Sequence, residues 1–164
     1  MILKDSDGNE FVEMIYVDEK TAMESFHPIT HCLVVVMVGN DYLLGWNKWR
    51  NDWEIFGGCM EAGETMRQCI ERECFEEIGI SDVEMEYVGL MHLNLVPDYF
   101  SAEYRKEYGG LYGIKLEPAD LEKIEMCRLD KDEIGKIALL KEIAEDEKIA
   151  EIDRELLNYF GKEQ

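Results

Sequence analysis

The order of apolar and polar positions along the chain predicts short strands interleaved with helices. The opening reads as a hairpin, with Ile2 to Lys4, a turn over Asp5-Ser6-Asp7-Gly8-Asn9, then Phe11 to Val17. A polar stretch with helical character covers Glu19 to Phe26. His31 to Val38 is β-branched and almost wholly apolar, as a strand buried on both faces must be. Gly39-Asn40-Asp41 turns it into a strand over Tyr42 to Trp46, and Trp53 to Phe56 forms a short strand ending in Gly57-Gly58. A helix is expected from Thr65 to Ile78: Thr65 and Gln68 form a capping box, and Gly79 is a natural stop. Val83 to Leu95 and Leu111 to Leu116 read as strands joined by a polar, aromatic loop, and Ile124 to Leu129 reads as another. Asp130 then caps the first of one or two C-terminal helices running to about Phe160. Strands alternating with helices predict an α/β sandwich. The expectation is one domain over residues 1–164, with the hairpin at about 1–17 and the C-terminal helices at about 130–160 as additions.

Charge narrows the partners. The 164 residues include 37 acidic and 17 basic side chains, a formal net charge of −20. Apolar residues make up 46%, enough for a core despite that charge. The acidity argues against a nucleic-acid polymer or an anionic membrane as partner. A phosphate ligand would need a metal or a few placed basic groups. The N-terminus lacks the long apolar stretch of a signal peptide, and no apolar run reaches the roughly 20 residues of a membrane span. Five cysteines without a C-x-x-C pair fit reduced thiols, so a cytoplasmic location is expected. His27, His31 and His92 have no metal-ligand spacing. Asp5-Ser6-Asp7-Gly8-Asn9 and the stretch from Asp130 to Lys141 each depart from a calcium loop, and read as turn and cap residues.

The candidate chemistry lies on the central helix. At about 100° per residue, Glu76, Glu73 and Glu77 fall about 40°, 100° and 140° from Arg72, on one arc. Ile70, Cys74 and Ile78 form an apolar stripe on the other side. Clustered carboxylates repel one another, and a hard divalent cation would relieve that cost. Taken alone, the cluster reads more simply as a solvated acidic face.

The wider spacing changes this. Gly58, Glu64, Arg72-Glu73, Glu76-Glu77 and Gly79 stand at the intervals G-x5-E-x7-R-E-U-x-E-E-x-G-U, which resembles the box of the Nudix (MutT-like) hydrolases. All seven fixed positions match, with Cys74 where an aliphatic residue is usual and Phe56 before the glycines where many relatives have proline. The resemblance extends over about residues 28 to 140 and implies the Nudix fold: an α/β/α sandwich with a mixed sheet and the box helix on one face. It implies a hydrolase that uses Mg²⁺ or Mn²⁺ while water attacks phosphorus in the pyrophosphate bond of a nucleotide derivative. By the same resemblance Glu73, Glu76 and Glu77 are catalytic residues and metal ligands. Gly58 would add its carbonyl, Glu64 would support them, and Arg72 would orient a glutamate rather than touch substrate. The general base would be a box glutamate or a later carboxylate, with Glu103, Glu107, Asp120 and Glu122 as candidates by position. Many such proteins are homodimers. The rival reading is a catalytically silent Nudix domain that senses a nucleotide.

Two further similarities point to different substrates. Leu43-Leu44-Gly45-Trp46-Asn47-Lys48 and Trp53 to Gly58 are similar to the mammalian oxidised-purine nucleoside triphosphatases. That would set Lys48 or Arg50 on phosphate and Trp46, Trp49 or Trp53 on a base, with Phe56 nearby. Pro97-Asp98-Tyr99-Phe100-Ser101-Ala102-Glu103 is similar to the loop of ADP-ribose and nucleotide-sugar pyrophosphatases, with Tyr99 as a substrate contact.

Overall fold

A computed structural model describes residues 2–98, 101–128 and 132–161. Its hub is strand β3 (Ile29–Val38). Val34, Val36 and Val38 face one core, while Val35 and Met37 face the other. A strand covered on both sides has no solvent face, which is why this run is nearly all apolar. β3 pairs in parallel with β8 (Arg105–Leu116) and antiparallel with β4 (Asp41–Asn47) and β6 (Phe56–Cys59). On the far side of β8 come β7 (Glu86–Leu95), β2 (Glu10–Ile15) and β1 (Leu3–Lys4), all antiparallel. β4 also pairs with β5 (Asp52–Glu54) and β9 (Ile134–Leu139). The sheet is therefore mixed: β3 and β8 are its one parallel strand pair among the described residues, and an isolated parallel bridge joins Trp53 to Ile149.

Helices cover both faces. On one side α1 (Glu19–Ser25), α2 (Met66–Ile78) and α3 (Asp120–Cys127) supply Ala22, Ile70, Cys74, Ile78 and Ile124 to a core shared with Leu90 and Tyr112. On the other, α4 (Glu151–Leu156) and a 3-10 turn over Leu157–Tyr159 lead into Phe160, and Leu156, Leu157 and Phe160 pack on Leu44, Leu93 and Leu111. This is the expected α/β/α sandwich, with the glutamate-bearing helix on one face.

The hairpin, α1 and α2 form where the sequence pattern placed them. In α2 the Gln68 amide donates to Thr65 Oγ1 at 3.1 Å, and the Thr65 amide donates to Gln68 Oε1 at 2.9 Å. Gly79 ends the helix with φ of +67°, a conformation that favours glycine.

Four expectations need correction. The stretch 53–56 is two strands, not one, because Ile55 separates residues that pair with β4 from residues that pair with β3. β8 begins at Arg105, since its first half is held along β7 up to the Leu95–Arg105 pair. Residues 124–127 belong to helix α3, where Leu121 and Ile124, three apart, turn to the core. Residues 134–139 are strand β9, pairing along β4 from Asn47 to Leu43, and not a helix. The exposed edge of β4 offers that segment a ladder, which overrides its helix-compatible spacing. The C-terminal helix shrinks to the six residues of α4 and its 3-10 turn. Asp130, the expected cap, lies outside the described residues.

Candidate active site

The site forms where α2 leans on β6. Glu77 is 3% exposed, and its Oε1 accepts a hydrogen bond from the Gly57 amide at 2.7 Å. Glu73 lies over Gly58: a Cβ there would stand 2.5 Å from Glu73 Oε1. Only a residue without a side chain lets this carboxylate rest on the strand. Gly57 has φ of +143° and is pressed against the backbone of Cys32 and Leu33, so it too must be glycine.

Arg72 organises the carboxylates. Its Nε donates to Glu64 Oε2 at 2.7 Å and its Nη2 to Glu64 Oε1 at 3.0 Å. Nη1 donates to Glu73 Oε1 at 2.9 Å and to Glu76 Oε2 at 3.4 Å, and Nη2 also reaches the Cys59 carbonyl at 3.0 Å. The guanidinium holds the Glu64 carboxyl down at about 2. Burial pushes Glu73 above the usual carboxylate range, against the opposing pull of Arg72. Glu76 is nearly half exposed and lies outside the cleft described below.

The donors are all oxygen: the buried carboxylate of Glu77, the partly covered carboxylate of Glu73 and the Gly58 carbonyl, which the Cys69 thiol reaches at 3.6 Å. That set suits a hard divalent cation such as Mg²⁺ or Mn²⁺ better than a softer metal. As the side chains lie, Glu73 is engaged with Arg72 and Glu77 with Gly57. No three His, Cys, Asp or Glu side chains form a ready ligand group among the described residues. The fit is therefore one of donor chemistry.

A cleft of about 630 Å³ is lined by Glu73, Glu77, Gly57 and Gly58 together with Asp52, Asp153 and residues of the turn over Asp5–Asn9. Its volume suits a nucleotide-sized ligand. Glu133 lines it and is close enough for its charge to help raise Glu73. The Asn47 side-chain amide donates to Glu133 Oε1 at 3.1 Å. Sequence reasoning missed Glu133, because the segment that carries it was read as a helix. The usable signal would have been the β-strand character of Ile134 to Leu139 against β4. None of the four carboxylates suggested by position lines the cleft. Glu107 accepts from Thr30 Oγ1 and Arg105 Nε, and Asp120 accepts from the Glu117 amide. Glu103 and Glu122 are exposed.

The suggested substrate contacts divide. Arg50 lines the cleft, but its guanidinium forks onto Glu54 at 2.7 and 2.9 Å. Lys48 is exposed, lies off the cleft and leans its stem on Gly135. Trp46 packs edge-to-face on Trp53 at 5.5 Å, with Lys136 over both rings, so it does not face the cleft. Phe56 is fully buried in the core and cannot meet a substrate. Trp49, in contrast, stands at the cleft rim, 70% exposed. Tyr99 lies outside the described residues.

A family model described as the NUDIX domain matches residues 27–160. The NAD-capped RNA hydrolase NudC of Vibrio parahaemolyticus is 32% identical over 103 residues, covering 53% of this chain. The match spans only 40% of that relative's length. Among solved structures, the Bacillus subtilis pyrophosphohydrolase BsRppH is similar with a TM-score of 0.65 at 20% identity, over 93% of this chain and 87% of that one. The NUDIX domain of Shewanella oneidensis NrtR, complexed with ADP ribose, is similar with a TM-score of 0.59 at 12% identity, over 87% and 96% of the two chains. Both structural likenesses speak to the fold.

Proposed function

The chain belongs to the Nudix family, and we propose that it hydrolyses a P–O–P bond in a nucleoside di- or triphosphate derivative by attack of water on phosphorus. The observation that carries this reading is the seating of Glu73 and Glu77 on Gly57 and Gly58 in the lining of a nucleotide-sized cleft. Glu73, Glu77 and the Gly58 carbonyl would hold Mg²⁺ or Mn²⁺, with Glu76 as a further carboxylate on the outer side. When bound, the cation supplies positive charge to the phosphoryl oxygens and acidifies water. Arg72 does not reach substrate in this reading. It orients Glu73 and Glu76 through a guanidinium anchored on Glu64 and the Cys59 carbonyl. Glu133 faces the same space and is our choice of general base, taking a proton from the attacking water.

An anionic cleft sets a condition on substrate. Asp52, Glu54, Glu73, Glu77, Glu133, Glu151 and Asp153 all line it. The diphosphate must arrive with its cation. Nucleoside triphosphates, oxidised deoxynucleoside triphosphates, ADP-ribose and nucleotide sugars all meet this condition. The relative named as an NAD-capped RNA hydrolase adds a cap with a bridged diphosphate to the candidates. The surrounding acidity favours the small molecule over an RNA body.

A panel of these compounds, assayed for inorganic phosphate, pyrophosphate and monophosphate with added Mg²⁺ or Mn²⁺, tests the reading. Monophosphate with pyrophosphate marks a triphosphate cut at the α-phosphorus, and two monophosphates mark a bridged diphosphate. A second reading is a nucleotide sensor without turnover, on the fold shared with a NUDIX domain complexed with ADP ribose. Binding without hydrolysis across the panel would select it.

A further inference from the structure

Asn47, the last residue of β4, is fully buried and does not line the cleft. A side-chain amide can accept through its oxygen and donate twice through its nitrogen, and Asn47 uses both ends. Its Oδ1 accepts from the Trp49 amide at 3.0 Å and the Arg50 amide at 2.9 Å, which shapes the turn leaving the strand. Its Nδ2 donates to Glu133 Oε1 at 3.1 Å and to Glu54 Oε1 at 3.4 Å. The partners fix which end is which: backbone amides only donate, so the oxygen faces them, and the nitrogen faces the carboxylates.

The two ends differ in how replaceable they are. The turn needs only an acceptor, which aspartate or serine supplies about as well as asparagine. Glu133 needs a donor. It sits just before β9, where the Lys48 amide donates to its carbonyl at 2.9 Å. Arg50 Nη2 lies 3.5 Å from its Oε1, but that guanidinium is forked onto Glu54 at 2.7 and 2.9 Å. Asp52, Glu54 and Glu73 line the same cleft, so like charge pushes on the Glu133 carboxylate. A neutral donor resists that push, and it lowers the basicity of the carboxylate less than a full cation would.

We propose that Asn47 is a positioning residue for hydrolysis: its side-chain nitrogen holds the Glu133 carboxylate in the cleft lining, while its oxygen separately holds the turn that carries Trp49 and Arg50. The inference rests on the reading of Glu133 as general base. Asn47 acts through Glu133 and meets no substrate, because it is buried and off the cleft.

Two substitutions in the full chain separate the ends. Both Asn47→Ser and Asn47→Asp keep an acceptor for the turn, so a role confined to the turn predicts similar kcat in all three proteins. Serine keeps one hydrogen for Glu133, whereas an ionised aspartate keeps none and adds like charge. Asp52, directly across the strands, is raised to about 8, so kinetics at about pH 9 keep the introduced aspartate ionised. Asn47→Asp should lower kcat about 10–100-fold with KM within about twofold, and Asn47→Ser should lower kcat about threefold. The double variant Asn47→Asp with Glu133→Gln shows the route. Its new glutamine donates to its new aspartate, so it should melt higher than Asn47→Asp alone. Its kcat should equal that of Glu133→Gln alone, since a residue acting through Glu133 has nothing further to lose. Equal kcat in folded Asn47→Asp and the unaltered protein would overturn the positioning role, as would a double variant slower than Glu133→Gln by the whole Asn47→Asp factor. The melting comparison needs no turnover: no recovery in the double variant would overturn the proposal even if Asn47→Asp is too unstable for kinetics. Recovered melting with a normal kcat in Glu133→Gln would support the contact and sink only the reading of Glu133 as base.

Discussion

Arg72 meets Glu64 as a two-pronged fork, Nε to Oε2 at 2.7 Å and Nη2 to Oε1 at 3.0 Å. The grip fixes the guanidinium plane, and with it the Nη1 that holds Glu73 at 2.9 Å. Lysine has one ammonium and cannot reproduce both contacts. Arg72→Lys should therefore lower kcat about 10–100-fold with little change in KM, because it disturbs a carboxylate rather than a substrate contact. Steady-state kinetics and a melting curve check this. A change confined to KM would place Arg72 on substrate instead.

Glu73→Gln and Glu77→Gln keep size but remove charge. In Glu77→Gln the side-chain oxygen still accepts from the Gly57 amide, so the fold should survive. Hydrolysis should drop about 10²–10³-fold or more in each variant, and excess chelator should abolish it in the unaltered protein. Near-normal turnover in both variants would defeat the assignment.

Gly58→Ala tests the seat of Glu73. The added Cβ would fall 2.5 Å from Glu73 Oε1, so the carboxylate must move off the strand. We expect loss of activity, with an overpacking cost of about 1–3 kcal/mol read from denaturant unfolding. A fully active Gly58→Ala would mean that the seated position is not the working one.

Glu133→Gln separates base from ligand. If Glu133 takes the proton from water, kcat should fall about 10²–10⁴-fold while Mn²⁺ affinity, read by calorimetry, holds. A parallel loss of Mn²⁺ affinity would make Glu133 a ligand instead.

Asp153 makes stability depend on pH. Burial first, then the charge of Glu54, raise it from 3.8 to about 7, and Asp52 is raised to about 8. Groups raised on folding favour the folded state below their unfolded value, and that contribution is lost as pH rises through the folded value. These two should weaken the protein progressively between about pH 4 and pH 8. Asp153→Asn keeps an acceptor for the Ile55 amide and removes the charge. Its melting temperature should exceed that of the unaltered protein at pH 8.5, by about 2–4 °C for each kcal/mol regained, and match it near pH 4. An equal gap at both pH values would show that ionisation is not the cause.

Local signals carried much of the fold. The capping box of Thr65 and Gln68 and the stop at Gly79 fixed α2 to within a residue, because caps act through neighbours in the chain. The apolar run of β3 announced two covered faces before any partner was known. The segment 134–139 failed for the opposite reason. Its apolar spacing fits a helix, and only the open edge of β4 makes it a strand. Losing β9 also lost Glu133, which that strand brings to the cleft. Phe56 was misjudged in the same way: its place beside the glycines suggested a contact, and packing took its ring into the core.

What the sequence determined by itself is the box: which carboxylates exist, on which helix, at which spacing, and hence the family. Spacing along one helix is a local property, so one dimension suffices to read it. What only the tertiary structure decided is what that helix faces. Glu73 over Gly58 and Glu133 in the lining of the same cleft both depend on contacts between distant segments. Such contacts are set by how the sheet closes its edges and buries its two faces.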